Sequence, residues 1–252
     1  MLGWNCRGAG DSRTVQEMER LVHTYRPKLV FLSETRQNKV VVENLRWRLG
    51  LKHVVTFHEP GKGGGLALFW DESVEVELNK IGNRIIDVIV HDLPKGIKWR
   101  CTFVYGEPRR ELRHVFWDLL GRLRREWTGS WLCCGDFNEV LTNEEHYGSR
   151  ERSSTQMELF RECLDVCNLV DLGFSGPKFT WSNRQDAQCN VHCRLDRGVA
   201  NSAFSTMFPS CAVENVITTS SDHYAVHMQL VAKPLGRNVG PVGHSFRYEA
   251  AW

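Results

Sequence analysis

Five stretches of this chain end an apolar run in residues able to bind a metal or move a proton. They are Trp4-Asn5, Phe31-Leu32-Ser33-Glu34-Thr35, Cys133-Cys134-Gly135-Asp136-Phe137-Asn138, Arg194-Leu195-Asp196-Arg197 and Ser220-Ser221-Asp222-His223. A polar group inside or at the end of a buried strand is costly unless it is used, so these endings are read as a set. Glu34 and Asp222 are hard oxygen donors suited to Mg²⁺, which keeps several waters and binds through one or two carboxylates plus a substrate phosphate. Asp196 and His223 suit a pair in which the carboxylate orients the imidazole and favours its charged form, placing positive charge where a phosphate develops negative charge. Asp136, held by the amide of Asn138, would position or deprotonate an attacking water. Singly, each has a plain structural explanation: a turn at Asn5, a cap at Glu34, an Asx turn at Asp136 and Asn138, an N-cap at Asp222. Together they predict one cleft, because strand ends far apart in sequence converge in layered folds.

The elements that must position these residues are legible from periodicity. A short strand over Leu2-Gly3-Trp4 precedes a Gly/Asp/Ser turn and a helix built on Val15, Met18, Leu21 and Val22. Residues 28–32 read as a buried strand, and 53–57, 65–70, 74–78, 84–90 and 98–105 as further strands rich in β-branched and aromatic residues. Leu112, Val115, Phe116, Leu119, Leu120 and Leu123 predict a helix over 110–127. A strand over 130–134 follows, then a helix from Ser154 to about Leu169 capped by Ser153 or Ser154, with Met157, Phe160, Cys163, Leu164 and Cys167 on one face. Strands near 178–181, 194–199, 212–218 and 225–230 complete the pattern. Mixed strands with a few flanking helices predict two packed sheets covered by helices, an α/β architecture and not a doubly wound parallel sheet.

Composition narrows the class without deciding it. Of the 252 residues, 42% are hydrophobic and 25% charged, which fits a soluble globular protein, and no run is apolar enough for a membrane span. The net charge of +2 is too small to argue for nucleic acid by itself. Arg109, Arg110, Arg113, Arg122, Arg124 and Arg125 crowd one helix and its approach, either as phosphate contacts or as a solvated face offset by Glu107, Glu111 and Glu126. An odd count of nine cysteines with no export signal favours buried free thiols in a reducing compartment over disulfides. Zinc on Cys163 with Cys167, or on Cys189, His192 and Cys193, is disfavoured by spacing. Trp47, Trp99, Trp117, Trp127 and Trp131 read as packing residues, and Trp181 as a residue of the cleft wall. Gly61-Lys62-Gly63-Gly64-Gly65 lacks the ending of a P-loop and reads as a turn before a strand.

Trp4-Asn5-Cys6-Arg7-Gly8, Ser33-Glu34-Thr35, Val104-Tyr105-Gly106, Gly135-Asp136-Phe137-Asn138, Arg194-Leu195-Asp196 and Ser221-Asp222-His223 resemble, in order and spacing, the endonuclease/exonuclease/phosphatase superfamily. Within it the chain is most similar to the apurinic-type endonuclease domain of plant LINE (non-LTR) retrotransposons, in which WNCRG opens the domain and an FRYEAAW-like segment leads toward a reverse transcriptase. The resemblance implies a four-layer α/β/β/α sandwich of two mixed sheets flanked by helices. It implies Mg²⁺, with Mn²⁺ able to substitute, on Glu34 supported by Asn5 and Asp222. It also implies Tyr105, Asn138 and His223 on the scissile phosphate, Asp136 activating water and Asp196 orienting His223. The implied protein is a monomer that nicks DNA in the nucleus, independent of membranes. Its catalytic domain spans 1–232, and a linker over 233–252 leads toward a reverse transcriptase domain of a parent polyprotein. One departure stands out: repair members carry an acidic residue two positions after the first Asn, where this chain has Arg7, as LINE-type members do. Two alternatives stay open: a phosphatase or phosphodiesterase of the same superfamily, and a transposon fragment that folds and at most binds nucleic acid.

Overall fold

Successive side chains of a strand point to opposite faces, and here that alternation divides most apolar residues between three cores, beside a fourth, small cluster of Val140, Met157, Cys193 and Leu195. The computed structural model describes residues 1–58, 64–149, 151–186 and 189–232. In chain order its strands are β1 (Leu2–Asn5), β2 (Leu29–Ser33), β3 (His53–Phe57), β4 (Leu66–Trp70), β5 (Glu75–Ile81), β6 (Ile85–Asp92), β7 (Ile97–Tyr105) and β8 (Trp131–Asp136). They continue as β9 (His146–Tyr147), β10 (Val170–Asp171), β11 (Trp181–Ser182), β12 (His192–Cys193), β13 (Asp196–Ala200), β14 (Ala212–Val216) and β15 (Ala225–Gln229). The helices are α1 (Ser12–Tyr25), α2 (Lys39–Arg48), α3 (Arg113–Arg125), α4 (Ser154–Cys167) and α5 (Ser202–Met207).

One six-stranded sheet runs β14-β15-β1-β2-β4-β3 and the other β10-β13-β8-β7-β6-β5. Each is mixed: β1 and β2 are parallel in the first, β7 and β8 in the second, and the remaining neighbours are antiparallel. Phe31, Leu68, Val88, Phe103 and Leu132 meet between the sheets, where the rings of Phe31 and Phe103 stack 5.2 Å apart. Their neighbours in sequence, Val30, Leu32 and Ala67, face outward against Val15, Met18 and Leu21 of α1 and Val42 and Leu45 of α2. On the other flank Val104, Trp131 and Cys133 pack under Phe116 and Leu120 of α3 and Phe160 and Leu164 of α4. The result is the expected α/β/β/α sandwich.

The helices start and stop for local reasons. Asp11 caps α1 by accepting from Arg13 N and Thr14 N, and the helix ends at Arg26, left-handed at φ 43°, just before Pro27. Asn38 caps α2 through Val41 N. Ser153 occupies the cap position of α4 without a side-chain hydrogen bond.

Several expectations are corrected. The helix expected from residue 110 begins at Arg113, after a single 3-10 turn over Arg110–Leu112. Trp47 is 66% exposed and packs in no core, whereas Trp99, Trp117 and Trp131 are buried as expected. Arg113 is buried and engaged with Glu139 and the Glu107 carbonyl, so it is not a free phosphate contact, whereas Arg109 pairs with Glu107 at the surface with its side chain 62% exposed. The expected strand near 178–181 starts only at Trp181. The sequence pattern does not predict α2 or α5. Seven of the nine cysteines are buried, with Cys189 exposed and Cys211 half-buried. Gly61, Lys62 and the tail over 233–252 lie outside the described residues, but Gly64 and Gly65 accept hydrogen bonds from Arg36 N and Thr35 N.

Candidate active site

Strand direction explains why residues so distant in sequence meet. The parallel pair β1 and β2 ends with Asn5 opposite Ser33, and Glu34 follows directly. In the facing sheet the parallel pair β7 and β8 ends with Tyr105 opposite Asp136. The antiparallel neighbours start where these strands stop: Asp196 opens β13 opposite Asp136, and His223 stands just before β15, the antiparallel partner of β1. Both sheets therefore deliver their polar ends to one edge, where a ligand reaches groups from several strands.

The side chains close a continuous network. Asn5 Nδ2 donates to Glu34 Oε1 at 3.0 Å and to Asp136 Oδ2 at 3.1 Å, and lies 3.4 Å from His223 Nε2. Tyr105 donates its hydroxyl to Glu34 Oε1 at 3.1 Å. His223 Nδ1 stands 2.9 Å from Asp196 Oδ2, while its Nε2 lies 3.8 Å from Asp136 Oδ2. Asp222 points to the rim, where Trp181 Nε1 donates to its Oδ2 at 2.9 Å. Asn5, Glu34, Tyr105, Asp136, Asp196, Asp222 and His223 thus share one site, and Trp181 borders it as the sequence suggested.

Asn138 differs from expectation. Its backbone N–H, not its side-chain amide, holds Asp136 Oδ1 at 2.8 Å, and the side chain turns to donate to Gly106 O at 2.9 Å. The reason is its left-handed backbone, φ 57°, which folds the Asp136-Phe137-Asn138 turn back on itself.

Burial and charge push the ionisable groups apart. Burial raises Asp136; His223 lowers it and Asp196 raises it again, leaving the carboxyl at about 6. For His223, burial pulls downward, but Asp196 and Asp136 outweigh it and hold the imidazolium up to about 9. Burial also raises Glu34, yet the Asn5 amide and the Arg36 and Arg7 guanidiniums bring it below the ordinary carboxylate value. The Tyr105 phenol is pushed up by burial and by Glu34 and Asp136, so it stays a hydrogen-bond donor.

Two places offer ligands to a divalent ion. Ligand atoms of Asp136, Asp196 and His223 lie within 4.8 Å of one another. There, however, Asp196 Oδ2 already bonds His223 Nδ1, and a protonated imidazole repels a cation. The neighbouring edge fits better. Asn5 Oδ1 is buried without a hydrogen-bond partner, an acceptor that a cation would satisfy, and it is accompanied by the hard oxygens of Glu34 and Asp222.

Three contributors escaped the sequence reading. Thr180, fully buried, donates to Asp196 Oδ2 at 2.7 Å and accepts from the backbone of Leu195 and Asp196. Its signal was weak: a buried polar residue before Trp181. Arg36 and Arg7 both contact Glu34, and Arg7 also contacts Asp222. At Arg7 the sequence shows only that a carboxylate is missing.

A four-layer sandwich that gathers carboxylates, an amide and a charged imidazole where its central strands end is the frame of hydrolytic nucleases and phosphatases. The family model described as the Endonuclease/Exonuclease/phosphatase family matches residues 2–223, and the chain belongs to that family. Among solved structures, a 3′-5′ exonuclease from Neisseria meningitidis is similar with a TM-score of 0.69 and 17% identity over 91% of this chain and 98% of that one. An AP endonuclease from Leishmania major gives 0.69 and 17% over 92% of this chain and 87% of that one. The endonuclease domain of TRAS1, a telomere-specific non-LTR retrotransposon, gives 0.66 and 16% over 91% and 96%. At these identities the likeness is one of fold. No curated protein matches the chain. Among the described residues no helix is long and apolar enough to cross a membrane.

Proposed function

We propose that this chain is a Mg²⁺-dependent endonuclease that hydrolyses one phosphodiester bond of DNA, nicking a strand to expose a 3′-hydroxyl that primes reverse transcription. The observation that carries the reading is His223 bracketed by Asp196 at 2.9 Å and Asp136 at 3.8 Å, beside the Glu34 and Asn5 edge. A carboxyl near neutrality next to a charged imidazole is the division of labour that base-assisted hydrolysis of a phosphodiester needs.

Glu34, with Asn5 Oδ1 and Asp222 in support, would hold Mg²⁺, or Mn²⁺ in its place, which supplies Lewis-acid stabilisation of charge on the phosphate. Asp136, fixed by Asn5 Nδ2 and the Asn138 N–H, orients an attacking water and takes its proton. His223, kept charged by Asp196, donates to a phosphate oxygen as negative charge builds there. The Tyr105 hydroxyl, once it turns from Glu34 Oε1, and the second N–H of the Asn138 amide add neutral donors to the same phosphate. DNA as substrate accords with family membership and with the nucleases of the same fold. In this reading residues 1–232 are the catalytic unit, 233–252 lead toward a reverse transcriptase domain of a parent polyprotein, and a monomer acts in the nucleus.

The test is nicking of supercoiled plasmid with Mg²⁺, beside EDTA, Glu34→Ala and Asp136→Ala controls. The expected result is relaxed circles that vanish in all three controls. Plasmid that stays supercoiled while the protein retards DNA in a gel would replace the enzyme by a nucleic-acid-binding fragment. One observation favours that second reading: Arg7 and Arg36 already neutralise Glu34. Release of phosphate from phosphoinositides without nicking would point instead to a phosphatase.

A further inference from the structure

Arg7 stands at the end of β1 with its guanidinium between two carboxylates. Its Nη1 contacts Asp222 Oδ2, and its Nε lies 3.5 Å from Glu34 Oε2. Arg36, the other guanidinium at the site, contacts Glu34. Both carboxylates are largely enclosed, with side chains 12% and 11% exposed, whereas the Arg7 side chain is 42% exposed and has an open path to solvent.

The backbone around Arg7 holds this arrangement. Arg7 takes a left-handed conformation, φ 48°, which the Cβ of any residue but glycine disfavours. Two hydrogen bonds across to the neighbouring turn support it, Cys6 N to Ser33 O at 3.1 Å and Ala9 N to Thr35 O at 2.8 Å. Glu34 in that turn is left-handed as well, φ 51°. Two turns with unfavourable residues, side by side and laced together, aim a cation at a carboxylate.

We propose that the Arg7 guanidinium is a built-in, displaceable counter-cation that holds Glu34 and Asp222 together and sets how tightly the site binds a divalent ion. The inference rests on the reading that Glu34 and Asp222 are metal ligands. An ion that bonds Glu34 Oε2 and Asp222 Oδ2 competes with the Arg7 hydrogen bond to Asp222, with the 3.5 Å ion pair of Arg7 and Glu34 and with the Arg36 hydrogen bond to Glu34, and any charge left nearby repels it. Metal binding and Arg7 engagement are therefore alternatives, and the open path lets the side chain leave.

The test measures Mn²⁺ binding by calorimetric titration of the full chain, without DNA, so that it does not depend on catalysis. Arg7→Gln is expected to bind Mn²⁺ about tenfold more tightly than wild type, while Arg7→Lys, which keeps the charge, stays near the wild-type value. Arg7→Asn, a residue at ease with left-handed backbone, repeats the comparison if the Gln variant fails to fold. Equal or weaker binding by the uncharged variants overturns the proposal. If wild type binds Mn²⁺, Glu34→Ala abolishes that binding and Arg7→Gln leaves it unchanged, only this inference falls. If neither wild type nor the Arg7 variants bind Mn²⁺, both the inference and the metal-site reading fall.

Discussion

Asp196 uses one oxygen, Oδ2, for both His223 Nδ1 and the Thr180 hydroxyl, and it is buried. In the proposed mechanism a carboxylate so placed acts through the imidazole, fixing its orientation and its charge, as a positioning residue. Asp196→Asn keeps the shape but removes the charge that holds His223 up at about 9. Single-turnover nicking is expected to fall about 100-fold or more, as when a preorganised charge donor is lost. Titration of the imidazole by NMR should show its pKa lowered in the same variant, a change that a merely structural role would not produce. Nicking at the wild-type rate with an unmoved imidazole would remove Asp196 from the mechanism. Thr180→Val strips one donor from Asp196 and the acceptor for two backbone N–H groups, and is expected to slow nicking about tenfold, measured in the same assay.

At the scale of elements, the site depends on how two strands and one loop are held. Gly135 in β8 has φ 133°, and a Cβ there would stand 2.2 Å from Val104 O in β7. Gly135→Ala must push that pair apart, the pair that aligns Tyr105 with Asp136. Denaturant unfolding is expected to report a loss of about 2 kcal/mol or more, and an unchanged midpoint would contradict the close approach. The loop carrying Asp222 and His223 is anchored from the helical layer that covers its own sheet. Glu17 of α1 accepts from Thr219 N at 3.0 Å, Ser220 N at 2.9 Å and Ser220 Oγ at 2.6 Å. Glu17→Ala leaves those N–H groups without partners and is expected to reduce stability by about 1–3 kcal/mol. Nicking should also drop at temperatures where the variant is fully folded, although Glu17 touches none of the proposed catalytic groups. Full activity in the folded variant would show that the loop keeps its place without this anchor.

For the molecule as a whole, a buried ion lattice ties the second sheet to the loops around the small sheet of β9, β11 and β12. Arg197, fully buried under the Phe160 ring, and Arg194 both bridge Glu145 and Asp171. Burial raises both carboxyls, but the two guanidiniums outweigh it and hold each below its ordinary value. A depressed folded-state value adds stability that is complete above the unfolded carboxyl range and is lost as pH falls through the folded one. Melting temperature is therefore expected to decline as pH drops below about 5. Arg197→Met, which leaves both carboxylates to Arg194 alone, is expected to cost about 2–3 kcal/mol at neutral pH and to flatten that acid decline. Circular dichroism melts between pH 7 and 3 check both, and parallel curves for the two proteins would exclude the lattice as the source.

Sequence alone determined the alternation that builds the sheets and the polar endings that mark the site, because strand period and the expense of burying polar groups are local properties. Phe31 and Val30, adjacent in one apolar run, must point to opposite faces once that run is a strand, Glu34 and Asp136 announce themselves at the ends of apolar runs, and His223 by its place in the Ser-Asp-His turn before a strand. α2 stayed hidden because Val40, Val41 and Trp47 are exposed and only Val42 and Leu45 face inward, which blurs the helical period. β9 and β12 are two residues each, too short to carry any pattern. The partners of each polar group were decided by tertiary structure: the Asn138 side chain turned to Gly106, Thr180 beneath Asp196, and Arg7 between Glu34 and Asp222. Those pairings depend on which strand ends lie side by side and which direction each turn faces, and packing between layers fixes both.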